Sequence, residues 1–316
     1  MKKLTAIWLS LLLMVGVLAG CAGAETDHKA QDSQNKETAT AAFPVSIKDA
    51  AGKTVEIKEQ PKRIVSLIPS NTEVAYALGL GDKMVGRSDF DNYPKEVEKV
   101  EKIGGLEFNV EKVISLKPDL VLAHVSQMGS KEGFKQLEDA GIKVLTVNDA
   151  TSFKDVYKSI NMIGEAAGVK GAATKLVDQM QSKLNGIKKQ AEAISKDKQK
   201  TVFVEVSGAP EIYTTGKNTF MDEMLSVIHA KNAAAAQTGW VQMTEEAIIK
   251  LNPDVIVTID GASVADLKKR DGWNAIKAVK EKQVFQLNTD LASRPGPRLV
   301  EGVEALAKSI YPDTFK

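Results

Sequence analysis

One cysteine and three histidines in 316 residues set the first limits on this chain. With a single thiol, Cys21, no intrachain disulfide can form, and the fold must be held by its core. His28, His124 and His229 are far apart in sequence; there is no HExxH, GxSxG or CxxC, and the Thr-Thr-Gly-Lys run at Thr214 lacks the rest of a phosphate loop. An enzyme is therefore not expected. A zinc or manganese receptor is not expected either, since such sites take several His or carboxylate ligands. Charge of one sign is also missing. Lys plus Arg is 42 against 41 for Asp plus Glu, a net charge of +1, which gives no electrostatic footing for nucleic acid. Aromatic residues make up only 5% of the chain, so any cluster of them in loops carries information.

What is present starts at the N-terminus. Lys2-Lys3 precedes an apolar stretch from Leu4 to Ala19, which ends in Leu18-Ala19-Gly20-Cys21. The stretch is shorter than the roughly 20 residues that span a bilayer, and it closes on small residues as secretory leaders do. The arrangement resembles the lipobox of bacterial lipoproteins, in which the cysteine is acylated and becomes the new N-terminus. That implies a leader over residues 1–20 and lipidation of Cys21. An ordinary leader with a chance cysteine, or a short uncleaved anchor, are the plainer alternatives. From Ala22 to Ala42 there is almost no bulky apolar residue, so residues 21–42 read as a flexible tether, with a reach of roughly 25 Å. The body is expected outside the cytoplasm, held to the membrane through the lipid.

The body contains a weak duplication. Asn109 to Ala123 read NVEKVISLKPDLVLA and Thr244 to Thr258 read TEEAIIKLNPDVIVT. Aligning Pro118 with Pro253 pairs Glu111 with Glu246, Leu116 with Leu251 and Asp119 with Asp254. Each copy predicts a short amphipathic helix, a Pro-Asp turn and an apolar strand. A second pair follows in the same order, GIKVLTVN from Gly141 and EKQVFQLN from Glu281. Strands apolar on both faces and alternating with helices predict parallel sheets. The expectation is an α/β protein of two related lobes, residues 43–168 and 199–316, joined by residues 169–198. Within that joint, Gly171 to Ser195 carries apolar residues at helical spacing (Leu176, Met180, Leu184, Ile187, Ala191, Ile194) and predicts one long helix.

Local signals predict the ends of further elements. Ser70-Asn71-Thr72-Glu73 reads as a capping box for a helix that Gly79 ends, after a strand from Arg63 to Leu67. Ser130 and Gly141 bracket another helix. Thr201 to Val206 predicts a strand, Asn218 or Thr219 a cap for the helix running to His229, and Pro297 a first-turn position for a last helix over 298–310.

At this point the residues carry a resemblance. The lipobox, the tether, RIVSLIPSNTEVAYALG from Arg63, SLKPDLVLA, the mid-chain helix and RPGPRLVEG from Arg294 are similar to the iron–siderophore and cobalamin substrate-binding proteins of ABC importers. SDFDNYP from Ser88, YTTGK from Tyr213 and GWVQMTEE from Gly239 look closest to the cobalamin branch. The resemblance covers nearly all of the chain from Pro61 onward. It implies two Rossmann-like lobes with mostly parallel sheets joined by a rigid helix (the class III periplasmic-binding-protein fold) and a ligand held between them. It further implies no catalysed reaction, no cofactor beyond the bound ligand, and an ABC permease with its ATPase as partners of a monomer. That ligand would be cobalamin, a related corrinoid or, alternatively, a ferric siderophore or haem.

A flat ligand with an apolar face calls for aromatic rings and a few directed polar groups. Phe90, Tyr213 and Trp240 stand in predicted loops at strand ends and keep an aromatic where the family uses one; Tyr93 is a further candidate. Gly105 and His124 occupy positions where a relative looks to have tryptophan, which reduces stacking area. His124 can hydrogen-bond a ligand, approach a metal centre, or sit as a satisfied rim residue. Arg87 and Arg294, with Arg298, suit the anionic shell of an iron chelate, although Arg294 can instead pair with Asp290 and Arg298 can simply open the last helix. Glu111 and Glu246 stand at equivalent points of the two copies. The resemblance implies that they dock on arginines of the permease; the plainer reading is two helix-start glutamates favoured by the macrodipole.

Overall fold

The computed structural model describes residues 43–316; the leader, Cys21 and the expected tether over 21–42 lie outside the described residues. The described chain opens with an antiparallel hairpin, β1 (Val45–Lys48) and β2 (Thr54–Ile57). Five parallel strands follow, β3 (Ile64–Ser66), β4 (Met84–Arg87), β5 (Glu101–Lys102), β6 (Leu120–His124) and β7 (Lys143–Val147), ordered β5-β4-β3-β6-β7. All five residues of β6 are buried, as a central parallel strand covered on both faces requires. The crossovers carry α1 (Pro69–Ala77), α2 (Val110–Ser115) and α3 (Lys131–Asp139), and α4 (Phe153–Ala166) follows β7.

After α5 (Lys170–Ala191) comes a second sheet, made of β8 (Thr201–Ser207), β9 (Tyr213–Thr215), β10 (Lys231–Asn232), β11 (Trp240–Gln242), β12 (Val255–Thr258) and β13 (Val284–Gln286). Its order is β11-β9-β8-β12-β13, with β10 paired to β8; β9 runs antiparallel to both β8 and β11, and the remaining pairings are parallel. Helices α6 (Phe220–Val227), α7 (Glu245–Leu251), α8 (Val264–Leu267), α9 (Lys277–Lys280), α10 (Thr289–Ser293) and α11 (Leu299–Ile310) complete this half.

The duplicated segments fold alike. Asn109 caps α2 and Thr244 caps α7, each accepting from the backbone N–H three residues on. Glu111 and Glu246 both fall at the second helical position. Lys117 and Asn252, each just before the proline, take positive φ of 49° and 44° and so end the helix in the left-handed region. β6 then pairs with β3 and β7, and β12 with β8 and β13.

Three expectations need correction. Ser70 to Glu73 form no capping box: Pro69 occupies the first helical position, Ile68 is the cap without a side-chain bond, and the four residues lie buried inside α1. Pro297 stands outside α11, before its cap Arg298. The mid-chain helix stops at Ala191, four residues early. Gly79, at φ 77°, does end α1 as predicted.

At 22 residues, α5 is roughly 33 Å long. It buries Ala173, Val177, Met180, Leu184, Ile187 and Ala191, the expected stripe displaced only at its edges. A Cβ on Gly164 of α4 would collide with the Cβ of Ala173, so glycine lets the two helices approach closely. α5 is not a free strut. Its stripe belongs to one apolar cluster that runs from Ile64 and Leu120 through Met180 and Leu184 to Val202 and Val303. The two sheets share no hydrogen bonds, yet beneath the gap between them the halves rest on a common core.

Candidate functional site

Ile68 follows β3, His124 ends β6, Val206 lies near the end of β8 and Ile259 follows β12. All four line one cavity of about 310 Å³ at the C-terminal ends of the strands of both sheets. Open α/β sheets place ligands at such strand ends. The remaining wall is Ser70 and Asp149 from the first half, with Phe220, Met221, Trp240, Ser293 and Pro295 from the second.

Trp240 is half exposed and packs edge-on against Phe220, with ring centroids 5.5 Å apart and planes at 63°. Thr219 caps α6 and thereby sets Phe220 at its first position. Tyr213 is also exposed. In the β9–β11 register Trp240 lies opposite Thr215 and Tyr213 opposite Gln242, so Tyr213 and Trp240 share one face of the ribbon. On the other half Phe90 is 54% exposed, and its ring lies over Gly105, where a Cβ would meet ring carbons at 3.2 Å. The glycine leaves room for Phe90 in that position. Phe90 and Tyr213 are outside the cavity wall.

His124 is 6% exposed and plays a structural part on the cavity wall. Its Nδ1 accepts from the backbone N–H of Ser126 at 3.1 Å, and the Ser126 hydroxyl lies 2.9 Å away. A backbone N–H can only donate, so the neutral ring carries its proton on Nε2. Burial pushes the imidazole pKa down, against the opposing pull of Asp149 and the Asn148 backbone. Burial thus favours the neutral ring, and in this tautomer Nε2 carries a proton rather than a lone pair. Among the described residues no group of three or more His, Cys, Asp or Glu is placed to hold a metal ion.

The arginines are engaged elsewhere. Arg87 is buried, with Nε donating to the Val100 carbonyl and Nη1 to those of Ser88 and Asp91. Arg294 donates to Glu73, Asn92 and the Phe90 carbonyl and pairs with Asp290; Arg298 donates to Glu73. None of the three lines the cavity, and among the described residues no lysine or arginine does. Glu111 and Glu246 are exposed. The first turns of α2 and α7 lie toward the strand ends that carry the cleft, because each helix runs back to the start of the strand after it. His229 serves the fold through its carbonyl, which accepts from the Tyr311 hydroxyl.

Asp149, Phe220, Met221 and Ser293 are wall residues that sequence motifs did not single out, and Glu73 was marked only as part of a capping box. Phe220 carried one usable signal, an aromatic directly after a capping threonine.

Comparison with known proteins agrees with this geometry. A family model described as periplasmic binding protein matches residues 64–291. An ABC transporter substrate-binding lipoprotein of Bacillus subtilis, YvrC, is 62% identical over the full length of both chains. A vitamin B12-binding protein of Photorhabdus laumondii is 27% identical, over 79% of this chain and 88% of that one. A solved structure from Staphylococcus epidermidis, described as a possible iron-binding (periplasmic solute-binding) protein, is 40% identical and superposes with a TM-score of 0.73, covering 80% of this chain and all of that one. These relatives bind solutes rather than transform them, and this chain is a member of the periplasmic binding protein family, a substrate-binding protein of an ABC transporter.

Proposed function

We propose that the chain captures cobalamin or a related corrinoid between its two lobes and delivers it to an ABC permease. The observation that carries this reading is the chemistry of the cleft. Its wall is mostly aromatic and aliphatic, with the half-exposed Trp240 on it and Ser70, His124, Asp149 and Ser293 as its polar groups, and among the described residues it holds no lysine or arginine. A corrinoid presents a broad macrocycle with amide groups around it, and stacking on Trp240, Tyr213 and Phe90 suits such a body. Haem carries two carboxylates and many ferric chelates are anionic; both call for cations that Arg87, Arg294 and Arg298 do not provide in this arrangement. His124 contributes a wall and an Nε2–H rather than an axial ligand. A ferric siderophore is the second reading, favoured by the 40% identity to a protein described as possibly iron-binding.

The lobes over 43–168 and 199–316 act about the helix in 169–198. Lipidation of Cys21 holds the body to the cell membrane, and Glu111 and Glu246 meet the permease. Transport energy comes from the ATPase partner.

The test is titration of the chain with cyanocobalamin, haem and ferric siderophores, followed by tryptophan fluorescence. Outside the leader the chain has two tryptophans; Trp273 is fully buried and Trp240 is half exposed, so quenching reports chiefly on Trp240. Saturable quenching by cyanocobalamin is expected. Quenching by an iron chelate with none by cyanocobalamin would replace the corrinoid with the second reading.

A further inference from the structure

Glu73, on α1, is only 3% exposed, and its carboxylate holds two guanidinium groups from the other half. Arg298 Nε donates to Oε2 at 2.9 Å and Nη2 to Oε1 at 2.6 Å, while Arg294 Nη1 donates to Oε1 at 3.0 Å. A second layer surrounds this centre. Arg294 also donates to Asn92 Oδ1 at 2.7 Å and to the Phe90 carbonyl at 3.2 Å, and it pairs with Asp290 at 2.8 Å. Asn92 in turn donates to Asp290 at 2.9 Å, and the Arg298 guanidinium lies 3.7 Å over the Tyr93 ring. Every one of these contacts except Arg294–Asp290 crosses from one half to the other.

We propose that Glu73 with Arg294 and Arg298 forms a polar tie that fixes the spacing of the lobes, and that Glu73 is the positioning residue setting how fast the cleft releases its ligand. The release part of this rests on the corrinoid reading above; the spacing part does not. Three features support it. First, the tie is continuous with the cleft wall at both ends. Ser70, one turn before Glu73 on α1, lines the cavity, and so do Ser293 and Pro295 on either side of Arg294.

Second, the tie stands between two spaces rather than inside a packed interface. On its other side a larger cavity of about 640 Å³ is lined by Tyr76, Tyr93, Leu176, Met180, Arg298 and Val300, with Glu73 at the boundary. Ions rather than close apolar packing therefore join the halves at this level.

Third, its chemistry suits reversible opening. Attraction within a buried ion pair is largely offset by desolvation, so charges that separate into water lose little overall. An apolar seam of the same area would resist parting by the full cost of exposing it. Such a tie leaves joined and parted arrangements close enough in energy for a ligand or a docked partner to shift the balance.

The experiment uses the full chain and two measurements. In the ligand-free protein, hydrogen exchange is followed in the seam segments 88–94 and 289–298 and in the central strands β6 and β12. Stopped-flow fluorescence then follows release of cyanocobalamin. Glu73→Gln keeps the shape of the side chain and removes its charge. It is expected to raise exchange in both seam segments, leave both central strands protected, and speed release about tenfold with association much less affected. Adding Arg298→Gln to Glu73→Gln should cost little more, because both act on one contact. Unchanged exchange in the seam, or unchanged release, would overturn the proposal. So would exchange that rises equally in the central strands, which would make Glu73 a general support of the fold. Should cyanocobalamin fail to bind even the unaltered chain, the corrinoid reading falls, and the exchange comparison still decides the tie.

Discussion

Asp119 and Asp254 make the same bond in the two halves of the molecule. Asp119 Oδ2 accepts from the backbone N–H groups of Lys62 and Arg63 at 2.7 and 2.9 Å, and Asp254 Oδ2 accepts from that of Thr201 at 2.8 Å. The backbone N–H of each aspartate donates back, to the carbonyl of Arg63 or of Thr201. Each Pro-Asp turn thus pins the start of a central strand to its parallel neighbour, and with it the strand end that reaches the cleft.

Loss of this clamp should be measurable and pH-dependent. Burial works to raise the Asp254 pKa, but the hydrogen bonds from Lys277 and the Thr201 N–H outweigh it and hold the pKa below 3.8. A folded-state pKa below the unfolded one gives stability that is present above the unfolded value and lost as pH falls through the folded one. Asp254→Ala is expected to cost about 1.5–3 kcal/mol at pH 7, the range for a hydrogen bond to a charged group. Urea unfolding at pH 7 and pH 3 checks this: the gap between variant and unaltered chain should narrow at the lower pH.

Trp240 carries a different prediction. Its ring is half exposed and leans on Phe220, so its removal leaves the core intact. Trp240→Ala is expected to weaken cyanocobalamin binding by about tenfold or more, as loss of a central aromatic anchor does, with little change in melting temperature. Trp240→Phe should recover part of the loss. Equilibrium dialysis read by corrinoid absorbance measures both without relying on the deleted fluorophore. Equal affinity in all three proteins would remove Trp240 from the ligand contact.

How far the fold could be read from sequence depended on the range of the interaction concerned. Leu120–His124 and Val255–Thr258 were legible because each is an unbroken apolar run directly after a Pro-Asp turn. The hairpin was legible in principle: Val45-Ser46-Ile47-Lys48 and Thr54-Val55-Glu56-Ile57 alternate apolar and polar around a turn at Gly52. Trp240 was legible as an exposed aromatic, although it was expected in a loop and opens strand β11, as Tyr213 opens β9. Glu73 was not. Its spacing from Ser70 satisfies a local capping motif, whereas its partners lie 221 and 225 residues away, and no local pattern announces a bond of that range. Arg87 and Arg294 are not free cations, since sequence marks a charge but not the acceptor that takes it up: nearby carbonyls for Arg87, and the distant Glu73 beside the foreseen Asp290 for Arg294.

Asp91 offers a test of opposite sign. It lies in the loop that carries Phe90 and Asn92, and Oδ2 accepts from the Thr72 hydroxyl and the Ser88 N–H, while Oδ1 is buried without a partner. Burial raises its pKa from 3.8 to about 6, against these bonds and the nearby Arg87 and Arg294. The folded state then holds a proton that the unfolded state has released, so stability falls as pH rises from about 4 to about 6 and levels off above that. Asp91→Asn keeps an acceptor for Thr72 and Ser88 and replaces the unpartnered oxygen with an amide. Denaturant unfolding across pH 4–7 should show that decline in the unaltered chain, on the order of 2 kcal/mol, and a flatter profile in the variant. Parallel profiles would show that Asp91 is ionised in the folded protein throughout this range.

The last prediction concerns the partner. Glu111 and Glu246 occupy the same helical position in the two halves, both exposed and both at the cleft end of their lobes. The helix macrodipole alone would explain a glutamate in either place, with a contribution of about 0.3–1 kcal/mol. Reversing both, Glu111→Arg with Glu246→Arg, therefore separates stability from docking. If the pair serves only helix starts, melting falls slightly and uptake persists. If it meets two basic patches on a permease, cyanocobalamin binding and the fold stay intact while uptake into cells is abolished, and each single reversal gives an intermediate loss. Docking is the expected outcome, because two equivalent carboxylates on opposite sides of one cleft provide two contacts at once, and a single reversal leaves one of them in place. Cellular uptake of labelled cobalamin, compared with affinity measured on the purified variants, distinguishes the two.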